Sequence, residues 1–222
     1  MAARGRHTGV TVVGVMSAHP NRPHAPDLTR TRRSKESNSA MQANDRIEIS
    51  TNVGPALARN RVFAAEGGHR DAVVFPRLGL FVVTCLDPRV DPAHFLGISL
   101  GDAVVVRNVG GHVTPEVIND VAFIGQIAEN VLPDGPLFEV AVIHHTQCGS
   151  GALADATFRR RYAERIGADE TTLREHAILD PVATVRSDVE RLRSARAIPE
   201  RVAVSGHVYD VVSGLVETVV PA

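Results

Sequence analysis

Cysteine is scarce in this 222-residue chain: Cys85 and Cys148 are the only two. That excludes a small secreted scaffold stapled by several disulfides. One Cys85–Cys148 disulfide is compatible with the spacing, but a thiol pair with histidine close by favours a metal site. No apolar run approaches the roughly 20 residues that a membrane-crossing helix needs, so no membrane partner is expected. The formal net charge of −1 removes any overall electrostatic case for binding nucleic acid. Lysine occurs once, at Lys35, so arginine carries almost all the positive charge. Hydrophobic content of 44% and charged content of 22% fit a soluble globular protein with one core and some length to spare.

Residues 1–44 are expected to form a disordered N-terminal extension ahead of a domain at 45–222. Up to about Ala40 the chain is rich in Arg, Pro and Ser, with only Asp27 and Glu36 as acids. Such composition cannot bury enough apolar surface to fold. Gly9 to Ala18 resembles a weak secretory signal, but Thr, Gly and Ser interrupt it and its cleavage site is poor. An Arg-rich targeting leader is another reading, and Met41 is an alternative first residue. A cytoplasmic location is expected.

Asp45 to Glu66 has a mixed, helical pattern with Val53, Leu57, Val62 and Phe63 as apolar positions, broken by Gly67-Gly68. These positions are expected to pack on the main body or on a second subunit. Arg77 to Thr84 predicts a strand, Val90 to Gly97 a short helical turn, and Ala103 to Val106 a second buried strand. Thr114-Pro115-Glu116 starts a helix with a capping hydroxyl, Pro at the first position and an acid in the first turn. Val117, Ile118, Val121, Ile124 and Ala128 follow at helical spacing. A third strand runs from Phe138 to Ile143; a helix follows at about Ala152 to Ile166, and another starts at Asp180-Pro181. Arg201 to Val220 reads as strand, Ser213-Gly214 turn, strand. This alternation predicts an α/β fold: a mainly parallel central β-sheet flanked by helices, with a C-terminal β-hairpin.

Two segments carry the chemistry: Cys85-Leu86-Asp87-Pro88-Arg89 and His144-His145-Thr146-Gln147-Cys148-Gly149. Each follows an apolar, β-branched run, so each is expected where a buried strand ends, the edge at which open α/β sheets bind ligands. His145 stands three residues before Cys148, which lets one turn present both to a single ion. With Cys85 from a neighbouring strand end, the set is two thiolates and one imidazole. Three protein ligands point to a catalytic zinc site with an open position, one ion per chain. Zinc can bring the pKa of bound water to about 7, though two thiolates lower it less than three histidines would. Asp87 is placed to accept a hydrogen bond from the resulting hydroxide, and Arg89 to keep Asp87 ionised.

Cys-x-Asp-x-Arg, then an Arg-Asn-x-Gly loop at Arg107 to Gly110, then His-x-x-Cys-Gly together resemble the β-class carbonic anhydrases. The likeness runs from about Phe75 to Asp155 in its motifs. His-His-Thr-x-Cys-Gly and the terminal hairpin are similar to a short bacterial subgroup. The resemblance implies reversible hydration of CO2 to bicarbonate and a proton, by zinc-hydroxide attack. It implies Cys85, His145 and Cys148 as zinc ligands, Asp87 and Arg89 as a catalytic dyad, and a homodimer or homotetramer. In some members the Asp equivalent swings in and ligates zinc. Pro88 departs from the Ser often found between Asp and Arg, and the lack of Trp removes a Trp-containing bicarbonate pocket known in some members. Two other functions stand beside this one: a zinc hydrolase of carbonyl sulfide or carbon disulfide, and a non-catalytic zinc-binding module.

Plainer roles are open at several positions. Buried thiols pack as small hydrophobes, and Asp87–Arg89 could be a structural ion pair. His144 should point away from His145 in an extended segment and is expected to be packed or to stand behind the ligands. His94, His112 and His207 read as ordinary polar residues. Phe95 and Val109 are candidates for an apolar pocket, Arg107-Asn108 for pocket lining or loop support. Gly110-Gly111 and Gly149-Ser150-Gly151 read equally as turns or as anion-facing amides.

Overall fold

The computed structural model describes residues 52–222. The expected extension, its limit at residue 44 and the start of the first expected helix lie outside the described residues.

Helix α1 (Gly54–Ala65) comes first, and Val62 and Phe63 near its end are exposed. The sheet is built from β1 (Leu80–Cys85), β2 (Ala103–Asn108), β3 (Phe138–His145), β4 (Val202–Tyr209) and β5 (Val216–Val220). Its order is β2-β1-β3-β4-β5. β1 to β4 are mutually parallel and β5 returns antiparallel to β4, as the alternation predicts.

Helices α2 (Pro92–Phe95), α3 (Pro115–Val131), α4 (Ala156–Ile166), α5 (Glu170–Glu175) and α6 (Pro181–Arg193) connect the strands. Their starts are chemically fixed. Thr114 caps α3 through Val117 N–H, and Asp155 caps α4 through Phe158 N–H. Asp180 accepts from both Val182 and Ala183 N–H at the start of α6. One face of the sheet, carrying Phe81, Val83, Val140, Val142 and Val204, buries Val117, Val121 and Ala128 of α3 and Val185, Val189 and Leu192 of α6. No described helix is long and apolar enough to cross a membrane.

Four expectations need correction. The first strand begins at Leu80 rather than Arg77, because Gly79 with φ of 55° turns the chain just before it. β2 is an edge strand among the described residues, not a buried one, and Val105 is 39% exposed. The expected helix at 152–166 is broken. A 3-10 segment (Gly149–Ala154) precedes α4, because Asp155 takes an extended backbone to cap it. Helix α5, capped by Asp169, was not anticipated.

Gly206 on β4 lets α6 approach the sheet. A Cβ there would lie 2.8 Å from Val189 Cγ2 and 3.1 Å from Val185 Cγ2. Both are stiff β-branched side chains with no room to retreat. Gly206→Ala should therefore destabilise the fold by about 1–3 kcal/mol through overpacking, read as a lower urea midpoint.

Candidate metal centre

Parallel β1 and β3 are neighbours, so Cys85 and His145, their last residues, arrive at the same edge of the sheet. Gln147 then takes φ of 56°, a left-handed turn rare outside glycine, and brings Cys148 back beside them. The two sulfurs are 3.8 Å apart. Cys85 Sγ, Cys148 Sγ and a ring nitrogen of His145 all lie within 4.8 Å of one another.

The imidazole tests whether this set suits a metal. His145 Nδ1 bonds the carbonyl oxygen of Thr146 at 2.9 Å, so that nitrogen carries the proton and donates. Nε2 is then a bare lone pair, and it is buried without a partner. A buried acceptor left unsatisfied costs stability, and a cation shared with two sulfurs removes that cost. A neutral imidazole whose far nitrogen is fixed by a carbonyl is a common arrangement of metal-bound histidine. The thiols are prepared in the same sense. The hydrogen bond from Cys85 holds the Cys148 thiol well below its usual range against the opposing effect of burial, aided by Ser150. The same bond and burial push Cys85 upward.

Beside the sulfurs stands Asp87, whose own N–H points at Cys85 Sγ at 3.4 Å. Its carboxylate accepts from Arg89 Nε at 3.0 Å and from the terminal guanidinium nitrogen at 2.7 Å. Arg89 holds the Asp87 carboxyl down at about 2, against the opposing effect of burial. Asp87 is therefore ionised at any ordinary pH and paired with Arg89. Arg89 also donates to the carbonyl of Gln147 at 3.0 Å, tying the two motifs together. Arg107 settles its own alternatives in favour of support: it donates to the carbonyls of Cys85 at 3.0 Å and Asp87 at 2.7 Å. Gly111 is a turn pressed onto β1, with φ of 74° and a Cβ position only 2.7 Å from the Thr84 carbonyl carbon.

An apolar cleft of about 290 Å³ opens at this point, lined by Leu86, Asp87, Val109, Leu153, Phe158 and Tyr162 among others. Val109 was expected there. Phe95 was too, but it stacks on Tyr209 with ring centroids 4.5 Å apart. Phe158 and Tyr162 were missed, although their four-residue spacing on α4 puts both on one helix face.

His144 points the other way, as strand alternation requires. Its Nε2 meets Asp188 Oδ2 at 3.0 Å, and His112 Nδ1 meets the same oxygen at 3.1 Å. These three could be read as a second metal-binding group. However, Arg191 stands 3.3 Å from the other Asp188 oxygen, and a guanidinium there opposes a second cation. The cluster is a buried ion-pair network joining the loop after β2, the end of β3 and α6. Burial would raise the Asp188 carboxyl, but the hydrogen bonds from His112 and His144 outweigh it and hold it well below the usual range. Burial would lower His112, and the bond and charge of Asp188 outweigh that and raise it.

A family model described as carbonic anhydrase matches residues 80–216. That is more than half of the chain. β-Carbonic anhydrase 1 of Mycobacterium tuberculosis is 31% identical over 162 residues, covering 73% of this chain and 94% of the relative. The chain belongs to the β-carbonic anhydrase family. The solved carbonic anhydrase of Streptococcus mutans agrees in fold, with a TM-score of 0.64 and 31% identity over 76% of this chain and 98% of that one. A carbon disulfide hydrolase of Acidianus sp. is also similar, 27% identical over 60% of this chain and 72% of the relative.

The Asp188 cluster sets a pH window. A carboxyl lowered on folding stabilises above its unfolded value of about 4 and loses that effect as pH falls through the native value. A histidine raised on folding stabilises below about 6.5 and loses that effect as pH rises through its native value. The cluster's contribution is therefore greatest between these limits. Asp188→Asn should cost about 3 kcal/mol near pH 5 and less at pH 3 and pH 8, measured by urea unfolding.

Proposed function

We propose that Cys85, His145 and Cys148 hold one zinc ion per chain and that the enzyme reversibly hydrates CO2 to bicarbonate and a proton. The observation that carries this reading is the buried, unpartnered Nε2 of His145 facing two sulfurs, beside a preformed Asp87–Arg89 pair. Bound zinc supplies a Lewis acid that brings the pKa of a coordinated water toward neutrality.

The chain's own groups do the rest. Two thiolates and a neutral imidazole balance a divalent charge, so the site needs no further anion. Asp87, kept ionised by Arg89, can only accept a hydrogen bond. It therefore accepts a hydrogen bond from the nucleophile's O–H and leaves a lone pair directed at the substrate. Two parallel bonds from Arg89 fix that carboxylate, so no reorganisation is needed as the reaction proceeds. Leu86, Val109 and Phe158 offer an apolar surface to a small, linear, nonpolar molecule.

Asp87→Ala should keep zinc yet lose about a hundredfold or more in kcat/KM for CO2 hydration by stopped flow. Retained turnover would remove Asp87 from the mechanism. The similarity to a carbon disulfide hydrolase and the apolar cleft favour a second reading, in which the same centre hydrolyses carbon disulfide or carbonyl sulfide. Parallel assays on the three substrates separate the two, and CO2 is expected to be much the fastest. One zinc per chain with no turnover on any of them would instead support the non-catalytic module. The exposed apolar side chains of Val105 on the β2 edge and Phe123 on α3 support assembly as a homodimer or homotetramer.

A further inference from the structure

Cys148 has a neighbour besides the two other proposed ligands. Ser150 Oγ lies 3.2 Å from Cys148 Sγ. Ser150 is only 6% exposed, so water does not compete freely for its hydroxyl. The backbone N–H of Ile178 donates to the same Oγ at 3.4 Å. An N–H cannot accept, so that contact occupies a lone pair of Ser150 and leaves its O–H free for the sulfur.

The segment that supplies this N–H is itself anchored. The carbonyl of His176 lies 3.1 Å from His112 Nε2, within the network built on Asp188. A Cβ on Gly151 would sit 3.3 Å from the carbonyl oxygen of Ile178, so the loop after Cys148 is pressed against that segment. Ser150 is held from behind and faces Cys148 in front.

We infer that Ser150 is a positioning residue for the metal centre, donating an O–H···S hydrogen bond that orients the Cys148 thiolate and limits the electron density it gives the ion. This rests on the zinc-binding reading above. The two sulfurs are served differently. Cys85 Sγ faces a backbone donor, the N–H of Asp87 at 3.4 Å, which no side-chain change removes. Cys148 faces a side-chain hydroxyl, which one substitution removes. A hydrogen-bonded thiolate is a poorer donor and leaves the metal a stronger Lewis acid. In a site with two thiolates that effect opposes the softening they impose. Partners of this kind, one step removed from a metal, typically change affinity or activity 10- to 100-fold.

The test uses the full chain with cobalt(II) in place of zinc, because the sulfur-to-cobalt charge-transfer band reports sulfur electron density directly. Ser150→Ala should move that band to longer wavelength and weaken metal affinity about tenfold. With zinc, it should also shift the midpoint of the CO2-hydration pH profile upward. Ser150→Thr keeps the hydroxyl and should keep the band and the midpoint. An unmoved band and midpoint in Ser150→Ala would overturn the inference, as would a threonine variant displaced as far as the alanine one. Should Ser150→Ala fail to take up cobalt, the threonine variant decides against the unaltered chain: an unmoved band supports the inference and a displaced one overturns it. Absence of any sulfur-to-cobalt band in the unaltered chain is a separate result, and it would overturn the metal reading itself.

Discussion

Parallel pairing of β1 with β3 is the constraint from which the site follows. It ends two buried strands at one edge and delivers Cys85 and His145 there. The alternation of β3 then divides two adjacent histidines between two tasks. His145 faces the sulfurs, and His144 faces Asp188 on the side of α6. A one-residue slip in β3 would exchange those tasks and leave a thiol pair without its imidazole. The apolar core beneath the sheet, Val83 and Val142 against Val117 and Val185, makes that slip costly because it would turn valines away from the helices.

The loops finish what the strands begin. Left-handed Gln147 folds Cys148 back, and Arg89 fastens the Gln147 carbonyl to Asp87. Arg107 grips the carbonyls of Cys85 and Asp87, while Gly111 allows its loop to lie directly on β1. The ionised Asp87 is compensated by Arg89 at short range, so its charge persists without a structural penalty large enough to expel it. Asp188 plays the matching part on the far side of β3, where three cationic or donor groups surround one carboxylate.

Much of this was legible in the residues. The strand–helix alternation gave the parallel sheet. Thr114-Pro115 and Asp180-Pro181 marked two helix starts that the caps bear out. Cys85, His145 and Cys148 stood out because cysteine is otherwise absent, and Asp87 and Arg89 because they follow Cys85 so closely. What was hidden depends on long-range contact. Asp188 sits 44 residues from His144, on a helix where an acid ordinarily faces solvent. Phe158 and Tyr162 read as one face of a helix with no hint of what that face meets. Phe95 was assigned to the cleft by its nearness to Cys85 in sequence, but α2 turns it toward Tyr209. Ser150 read as part of a turn, since a hydroxyl aimed at a sulfur has no signature in a Gly-Ser-Gly stretch.

The most direct test of the central claim is X-ray absorption at the zinc edge on the purified, unaltered protein, with zinc counted per chain. One zinc per chain is expected, with two sulfur neighbours at about 2.3 Å and one imidazole nitrogen at about 2.0 Å. Protein that carries no zinc after growth with the metal, or zinc whose nearest shell lacks two sulfurs, would contradict the account.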